Sequence, residues 1–274
     1  MSKQIVHGLW IGKKLSPIEQ LCVASFMKNG YEFQLWCYEK IDNIPNGCVL
    51  KNANEIIPYE DVFCYENESS IGVGKGSYAG FSDLFRYKLL YELGGLWVDM
   101  DVTCIAPITI KGEYLFRFHH KLGAVGNIMY CPPKSEIMFA CYKRAKAEIS
   151  ADNVDWLKPI VILNEAIAAF KLTHCVQQMS NDDSFPIVAK MLSSNKKIPQ
   201  YWQAIHWMNE EFRRLDLPKN SFLKESVIGA FLSKYEIDFF EIKGINALIY
   251  SAKTSRIRYL WINAKKIIFN FLKV

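Results

Sequence analysis

The sequence predicts an α/β fold built on a central, mostly parallel sheet. A short apolar run, Ile5 to Ile11, is followed by a segment of helical spacing, Pro17 to Lys28, and a second apolar run, Phe33 to Tyr38. Strand, helix and strand at this separation make a βαβ unit, whose two strands are parallel. A later helical segment ends at Gly94-Gly95 and gives way at once to the apolar Leu96-Trp97-Val98. Composition agrees, because half of the 274 residues are hydrophobic and 14% are aromatic. That is enough for a large core and too much for a disordered chain.

In the first helix Ile18, Leu21, Cys22, Ser25 and Phe26 recur at helical spacing, and Asn29-Gly30 stops it. Residues 42–70 are polar and broken by Pro45, Gly47 and Pro58, so loops with short helical turns are expected. Residues 71–80 carry Gly72, Gly74, Gly76 and Gly80. Neither phosphate-loop pattern fits: Lys75 precedes Gly76-Ser77, and Ser77-Tyr78-Ala79-Gly80 departs from the dinucleotide spacing. A flexible lid beside an active site is the expectation. Ser82 is a good N-cap for a helix running to Leu93. Extended segments follow at Val102–Ile105, Tyr114–Phe118 and Asn127–Cys131. From Ser135 to Lys171 the spacing is mostly helical with a break at Pro159, residues 198–207 are mixed, and the chain after Asp216 is helical in character. This divides the chain into a main domain, 1–215, and a helical basic extension, 216–274, packed on it.

Thirty-three basic and 28 acidic residues give a mild formal charge of +5, compatible with an anionic ligand. The eight cysteines include no Cys-x-x-Cys pair, which excludes zinc-knuckle and thioredoxin-type sites and leaves buried, reduced thiols. With no secretory leader at the start and no apolar run of spanning length, a cytoplasmic protein is expected. After Glu241 no acidic residue occurs, while Lys243, Lys253, Arg256, Arg258, Lys265, Lys266 and Lys273 alternate with residues such as Tyr259, Trp261 and Phe269. A basic amphipathic segment with aromatics, here 243–274, is expected to lie on an anionic membrane at the inner face of the plasma membrane.

Asp99 and Asp101 follow the apolar Leu96-Trp97-Val98. In extended backbone, residues two apart point to one side. Two carboxylates held there repel unless a cation lies between them. A hard ion such as Mn²⁺ or Mg²⁺ takes carboxylate oxygens and keeps room for those of a diphosphate. Ligands of α/β sheets also bind beyond the carboxyl ends of strands. Asp83 and Arg86 lie three apart and share a helical face, so Arg86 is either held by Asp83 or turned to a phosphate. Asn127 and Asn164 have amides suited to reading hydroxyls.

The run Ser82-Asp83-Leu84-Phe85-Arg86-Tyr87, then Leu90-Tyr91, Gly94-Gly95 and Val98-Asp99-Met100-Asp101, resembles the DXD sugar-binding region of glycosyltransferase family 32. The glucosyltransferase domains of the large clostridial toxins share it. Ile5-Val6-His7-Gly8-Leu9-Trp10-Ile11-Gly12 is similar to the opening strand of those enzymes, which ends in His-x-x-Trp-Ile-Gly. The likeness covers roughly the first 130 residues. It implies a GT-A fold with a single nucleotide-binding domain, a nucleotide-sugar donor with uridine as its base, a divalent metal ion, and retention of anomeric configuration.

By this resemblance Trp10 stacks on the nucleotide base, Asp83 binds hydroxyls of the donor sugar, and Arg86 faces sugar and diphosphate. Asp99 and Asp101 hold the metal, with Asp101 the direct ligand. Lys75 would add positive charge if its loop closes. The family often carries a His followed by Ser-Trp. Here His206-Trp207 supplies the His, Glu211-Phe212 stands where Ser-Trp would, and His206 is expected to be a third contact to metal or diphosphate. The implied reaction moves a hexose or N-acetylhexosamine to a glycan or lipid-linked acceptor in bacterial surface or capsular polysaccharide synthesis. Two rival readings are a non-catalytic nucleotide-sugar module, which needs no paired acids, and a metal-dependent phosphotransferase or nuclease. A nuclease would carry its basic residues near the acids, whereas here they gather in the tail, so no nucleic-acid partner is expected.

Overall fold

The computed structural model describes residues 3–70 and 72–254. The expected βαβ unit opens the chain as β1 (Ile5–Trp10), α1 (Pro17–Lys28) and β2 (Glu32–Cys37), with β1 and β2 parallel. α1 starts on a capping box: Ser16 Oγ accepts from Ile18 N at 3.3 Å, and Glu19 Oε2 accepts from Ser16 N at 2.7 Å. Within the polar stretch expected to be loops, β3 (Val49–Asn52) adds a parallel edge strand to β2. It is four residues long and mostly exposed, so it carries no apolar pattern.

The next helix, α2 (Ala79–Leu93), begins three residues before Ser82. Its N-cap is Tyr78, which makes no side-chain cap bond, so Ser82 lies inside the helix and does not cap it; just outside, Ser77 Oγ accepts from Ala79 N at 3.2 Å. Then come β4 (Gly95–Val98), β5 (Val102–Cys104), β6 (Leu115–His119) and β7 (Gly123–Cys131). α3 (Glu136–Glu148) and α4 (Lys158–Ala169) follow. Pro159 does not break a helix; it lies in the first turn of α4, where its missing N–H has no partner to lose. The remaining elements are β8 (Val176–Gln177), α5 (Phe185–Ser193), β9 (Ala204–His206), α6 (Asn209–Arg214), β10 (Ser221–Phe222), α7 (Val227–Lys234), β11 (Phe240–Glu241) and α8 (Ile245–Lys253).

The main sheet has the order β3-β2-β1-β4-β7-β6-β8, and every pairing in it is parallel except the two made by β7. This is the mostly parallel α/β sheet the sequence predicted. Its central strands are buried on both faces, which is why they read as unbroken apolar runs. One face packs against α2, α3 and α4, and the other against α1. A third apolar cluster joins the far side of α1, through Ile18 and Leu21, to α5 and α7. After Asp216 the chain is less helical than expected, since β10 and β11 pair in parallel around α7. No helix among the described residues is long and apolar enough to cross a membrane. All eight cysteines are free thiols and six are buried. Arg256, Arg258, Lys265, Lys266 and Lys273 of the expected membrane segment lie outside the described residues.

Two pairings set up the site. β1 and β4 lie side by side, so Trp10 and the Asp99-Met100-Asp101 turn leave the sheet at the same edge. β5 then pairs antiparallel with β9, with Val102 opposite His206, which carries His206 to Asp101 across about a hundred residues of chain.

Candidate active site

A cleft of about 740 Å³ opens at this edge, and Trp10, Asp83, Arg86, Asp99, Asp101 and His206 all line it. Gly8 makes the edge tight. A Cβ there would stand 2.8 Å from Met100 Sδ, so glycine lets the middle residue of the acidic turn tuck against β1.

Arg86 is buried between two acids. Its Nη2 lies 2.9 Å from Asp83 Oδ1 and 3.2 Å from Asp99 Oδ1. The guanidinium also sits over the Trp97 ring, 5.4 Å from its centre, and Trp97 Nε1 donates to Asp99 Oδ1 at 2.8 Å. A side chain on residue 126 would put its Cβ 1.8 Å from Arg86 Nη1, so Gly126 in β7 keeps the space that Arg86 fills. Burial pushes the Asp83 carboxyl up to about 6 against the pull of Arg86. Burial also raises Asp99, again opposed by Arg86. One cation shared by two half-buried acids leaves both short of positive charge.

Asp101 is held differently. Its Oδ2 accepts from Asn209 N at 2.7 Å and faces His206 Nε2 at 3.3 Å. His206 Nδ1 meets Asp183 Oδ1 at 2.7 Å, and Arg117 grips Asp183 through two nitrogens at 2.7 and 2.8 Å. Burial disfavours the charged imidazole, but Asp183 and Asp101 outweigh it and raise His206 to about 10. Burial likewise opposes ionised Asp101, and the His206 charge with the Asn209 N–H overcomes it, so Asp101 falls below its ordinary value.

The structure thus brings together Trp10, Asp83, Arg86, Asp99, Asp101, Asn127 and His206. Asn127 Oδ1 accepts from Arg117 at 3.2 Å, and its carbonyl accepts from Asp99 N at 3.0 Å. Trp10 stands at the end of β1, its Nε1 donating to Lys14 O at 3.2 Å. Asn164 is not brought to the cleft: its amide pairs with both backbone groups of Ala124, each at 2.8 Å. Lys75 is exposed and does not line the cleft, and its carbonyl accepts from Arg213. His206 has both ring nitrogens turned to carboxylates, Nε2 to Asp101 and Nδ1 to Asp183. Its place is a link between Asp101 and Asp183.

A divalent ion does suit the acidic pair. Asp99 Oδ2 and Asp101 Oδ1 accept no hydrogen bond among the described residues, and two free carboxylate oxygens are the donors that Mn²⁺ and Mg²⁺ prefer. Reading the sequence missed Asp183, Arg117 and Asn209. Arg117 had left a trace, as a charged residue inside the apolar run Leu115-Phe116-Arg117-Phe118.

Comparison with known proteins gives the following similarities. Residues 19–117 match the family described as "Glycosyltransferase sugar-binding region containing DXD motif". Inositol phosphoceramide mannosyltransferase 1 of Schizosaccharomyces pombe is 22% identical over 144 residues, covering 50% of this chain and 40% of that protein. The "Subversion of eukaryotic traffic protein A" of Legionella pneumophila is 28% identical over 116 residues, covering 37% of this chain and 17% of that protein. The chain thus spans less than half the length of these curated relatives. A solved structure described as "PaToxG Glycosyltransferase" aligns with a TM-score of 0.46 at 15% identity, covering 61% of this chain and 68% of that one. The matched residues 19–117 include Asp99-Met100-Asp101, the Asp-x-Asp sequence at the end of β4.

Proposed function

We propose that the chain is a metal-dependent, retaining glycosyltransferase that moves a hexose or N-acetylhexosamine from a uridine nucleotide sugar. The observation that supports this most is the pair of uncommitted oxygens, Asp99 Oδ2 and Asp101 Oδ1, on two residues that line one cleft at the end of β4. A divalent ion held by these oxygens would neutralise charge on the departing diphosphate. Trp10 offers the nucleotide base a flat ring at the same edge. Arg86 holds Asp83 and Asp99 in place, and Asp83, which lines the same cleft, would accept hydrogen bonds from sugar hydroxyls. Asp83 is paired with Arg86, and Asp183 with Arg117, so neither is a free nucleophile. This favours attack by the acceptor hydroxyl on the face the diphosphate leaves, with a phosphate oxygen taking the proton.

In this reading 1–215 is the catalytic domain, 216–274 is a basic extension packed on it, and 243–274 rests on an anionic membrane. The acceptor is a glycan or a lipid-linked sugar, in keeping with a relative named for inositol phosphoceramide, and surface polysaccharide synthesis is the proposed setting. The test incubates the purified chain with a panel of nucleotide sugars and follows donor hydrolysis with and without Mn²⁺, beside Asp101→Ala. Hydrolysis of one donor that needs both Mn²⁺ and Asp101 supports the reading and names the sugar. Donor binding that is indifferent to metal, with no hydrolysis, would move the non-catalytic module ahead.

A further inference from the structure

The polar groups around Asp101 form one chain leading from the cleft into the protein. His206 Nε2 faces Asp101 Oδ2, and His206 Nδ1 faces Asp183 Oδ1. Asp183 receives both terminal nitrogens of Arg117. A planar guanidinium matched to a carboxylate at two points fixes direction as well as distance. Arg117 is fully buried, and it also donates to Ser180 Oγ at 2.5 Å and to Asn181 O at 2.5 Å. Asn181 brackets the backbone of His206: its Oδ1 accepts from His206 N at 2.8 Å, and its Nδ2 donates to His206 O at 3.0 Å. The stretch Ser180-Asn181-Asp182-Asp183 therefore holds His206 by backbone and by ring, with Arg117 as the anchor. Through Asn127 the same arginine reaches the residue whose carbonyl accepts from Asp99 N.

A pair present only for stability needs no such arrangement. A buried ion pair gains little over apolar residues of similar volume, because desolvation offsets the attraction. The geometry does have a consequence for Asp101. With Oδ2 fixed by His206 and Asn209 N, Oδ1 is the oxygen left for a ligand.

We propose that Asp183, clamped by Arg117, is a positioning residue for the acidic pair, fixing the His206 ring and through it the orientation of the Asp101 carboxylate. The consequence for metal binding rests on the transferase reading above; the hold on His206 does not. Supports of this kind alter metal affinity by about 10- to 100-fold when removed.

The test uses the full chain and two readouts. The first is metal-free. Proton NMR is expected to show a downfield imidazole N–H of His206, slow to exchange with water and assigned by its absence in His206→Gln. The double variant Arg117→Met/Asp183→Leu removes both charges together, avoiding a lone buried charge, and is expected to lose that resonance while circular dichroism stays native. The second readout is Mn²⁺ affinity by electron paramagnetic resonance, expected to fall about 10- to 100-fold in the double variant. Asp183→Glu keeps the charge and moves the carboxylate outward by one methylene. A positioning role predicts weaker Mn²⁺ binding there, and a role confined to neutralising Arg117 predicts wild-type affinity. Wild-type affinity in Asp183→Glu, or an unchanged His206 N–H in the double variant, overturns the proposal. Asp101→Ala is the control: if it leaves Mn²⁺ binding unchanged, the metal reading fails, and the N–H resonance still decides whether Asp183 holds His206.

Discussion

The two carboxylates of the acidic turn are one residue apart, yet different kinds of structure hold them. The Asp99 half is local, because Asp83, Arg86 and Trp97 all come from α2 and β4, directly before the turn. The Asp101 half is assembled from afar, with Arg117 on β6, Asp183 before α5, His206 on β9 and Asn209 at the start of α6. The local half has one cation for two half-buried acids, so desolvation outweighs the pull of Arg86 and both Asp83 and Asp99 are raised. The distant half has two cations and a backbone N–H for its two acids, so both Asp101 and Asp183 are lowered. The difference shows where charge is missing. A divalent ion at the turn would supply what the local half lacks, and the distant half keeps Asp101 ionised to receive it.

The largest expected effect divides the two acids. Asp101→Ala should lower metal-dependent donor hydrolysis about 10³-fold, the scale of losing a main charge-stabilising group. Asp99→Ala should lower it less, because Asp99 is shared with Arg86 and Trp97. Steady-state hydrolysis across a Mn²⁺ titration measures both. Equal losses would break the asymmetry.

Next come the two buried arginines. Arg117→Met leaves Asp183 buried beside His206 alone and should destabilise by about 3 kcal/mol. Arg86→Met should cost less, and the cost should shrink from pH 8 to pH 5. Asp83 already sits near 6 with Arg86 present, so without it the carboxyl takes a proton readily and the uncompensated charge disappears. Urea unfolding of both variants at the two pH values is the measurement. A cost for Arg86→Met that is the same at pH 5 and pH 8 would remove the electrostatic distinction between the halves.

The same division explains what could be read from the sequence. α1 is legible to the residue, since the helical spacing from Pro17 and the Asn29-Gly30 stop mark its ends by local chemistry. The Asp99 half is legible for the same reason: helix spacing puts Asp83 beside Arg86, and strand spacing puts Asp99 beside Asp101. β3 is not legible, because an exposed edge strand of four residues needs only its neighbour's hydrogen bonds and no apolar pattern. Nor is Asp183. Its role depends on β5 pairing with β9 and on Arg117 reaching across from β6, and neither long-range pairing has a short-range pattern. His206 was found as a residue, through the resemblance, and so was its partner Asp101, but its other partner, Asp183, was not.

An effect of at most similar size concerns His7, in the strand that carries Trp10. Burial lowers His7 to about 4, and its Nδ1 accepts from Trp36 Nε1 at 3.2 Å, as a neutral ring does. A base whose folded value lies below its unfolded value contributes stability above about pH 6.5, and that contribution is lost as pH falls toward 4. Wild type should therefore lose up to about 3 kcal/mol relative to His7→Gln over this window. Thermal unfolding of both proteins from pH 7 to pH 4 reads the difference. Parallel curves would mean that His7 is charged in the fold. Opening at the β1 edge would then have to be included in any account of the Asp99 half.

The smallest expected effect probes how α6 joins the distant half to the glycine-rich loop. Asn209 N holds Asp101, and the next residue, Glu210, accepts from Gly74 N at 3.0 Å while pairing with Arg213 at 2.6 Å. Arg213 in turn donates to Lys75 O. One short helix thus touches both the acidic turn and the loop expected to act as a lid. Glu210→Ala removes a hydrogen bond worth about 1 kcal/mol. Amide exchange at Gly74 should speed up, and KM for the donor should rise about fivefold with kcat held. If kcat falls instead while KM stays, the helix matters through Asp101 rather than through the loop, and the latch belongs to the distant half alone.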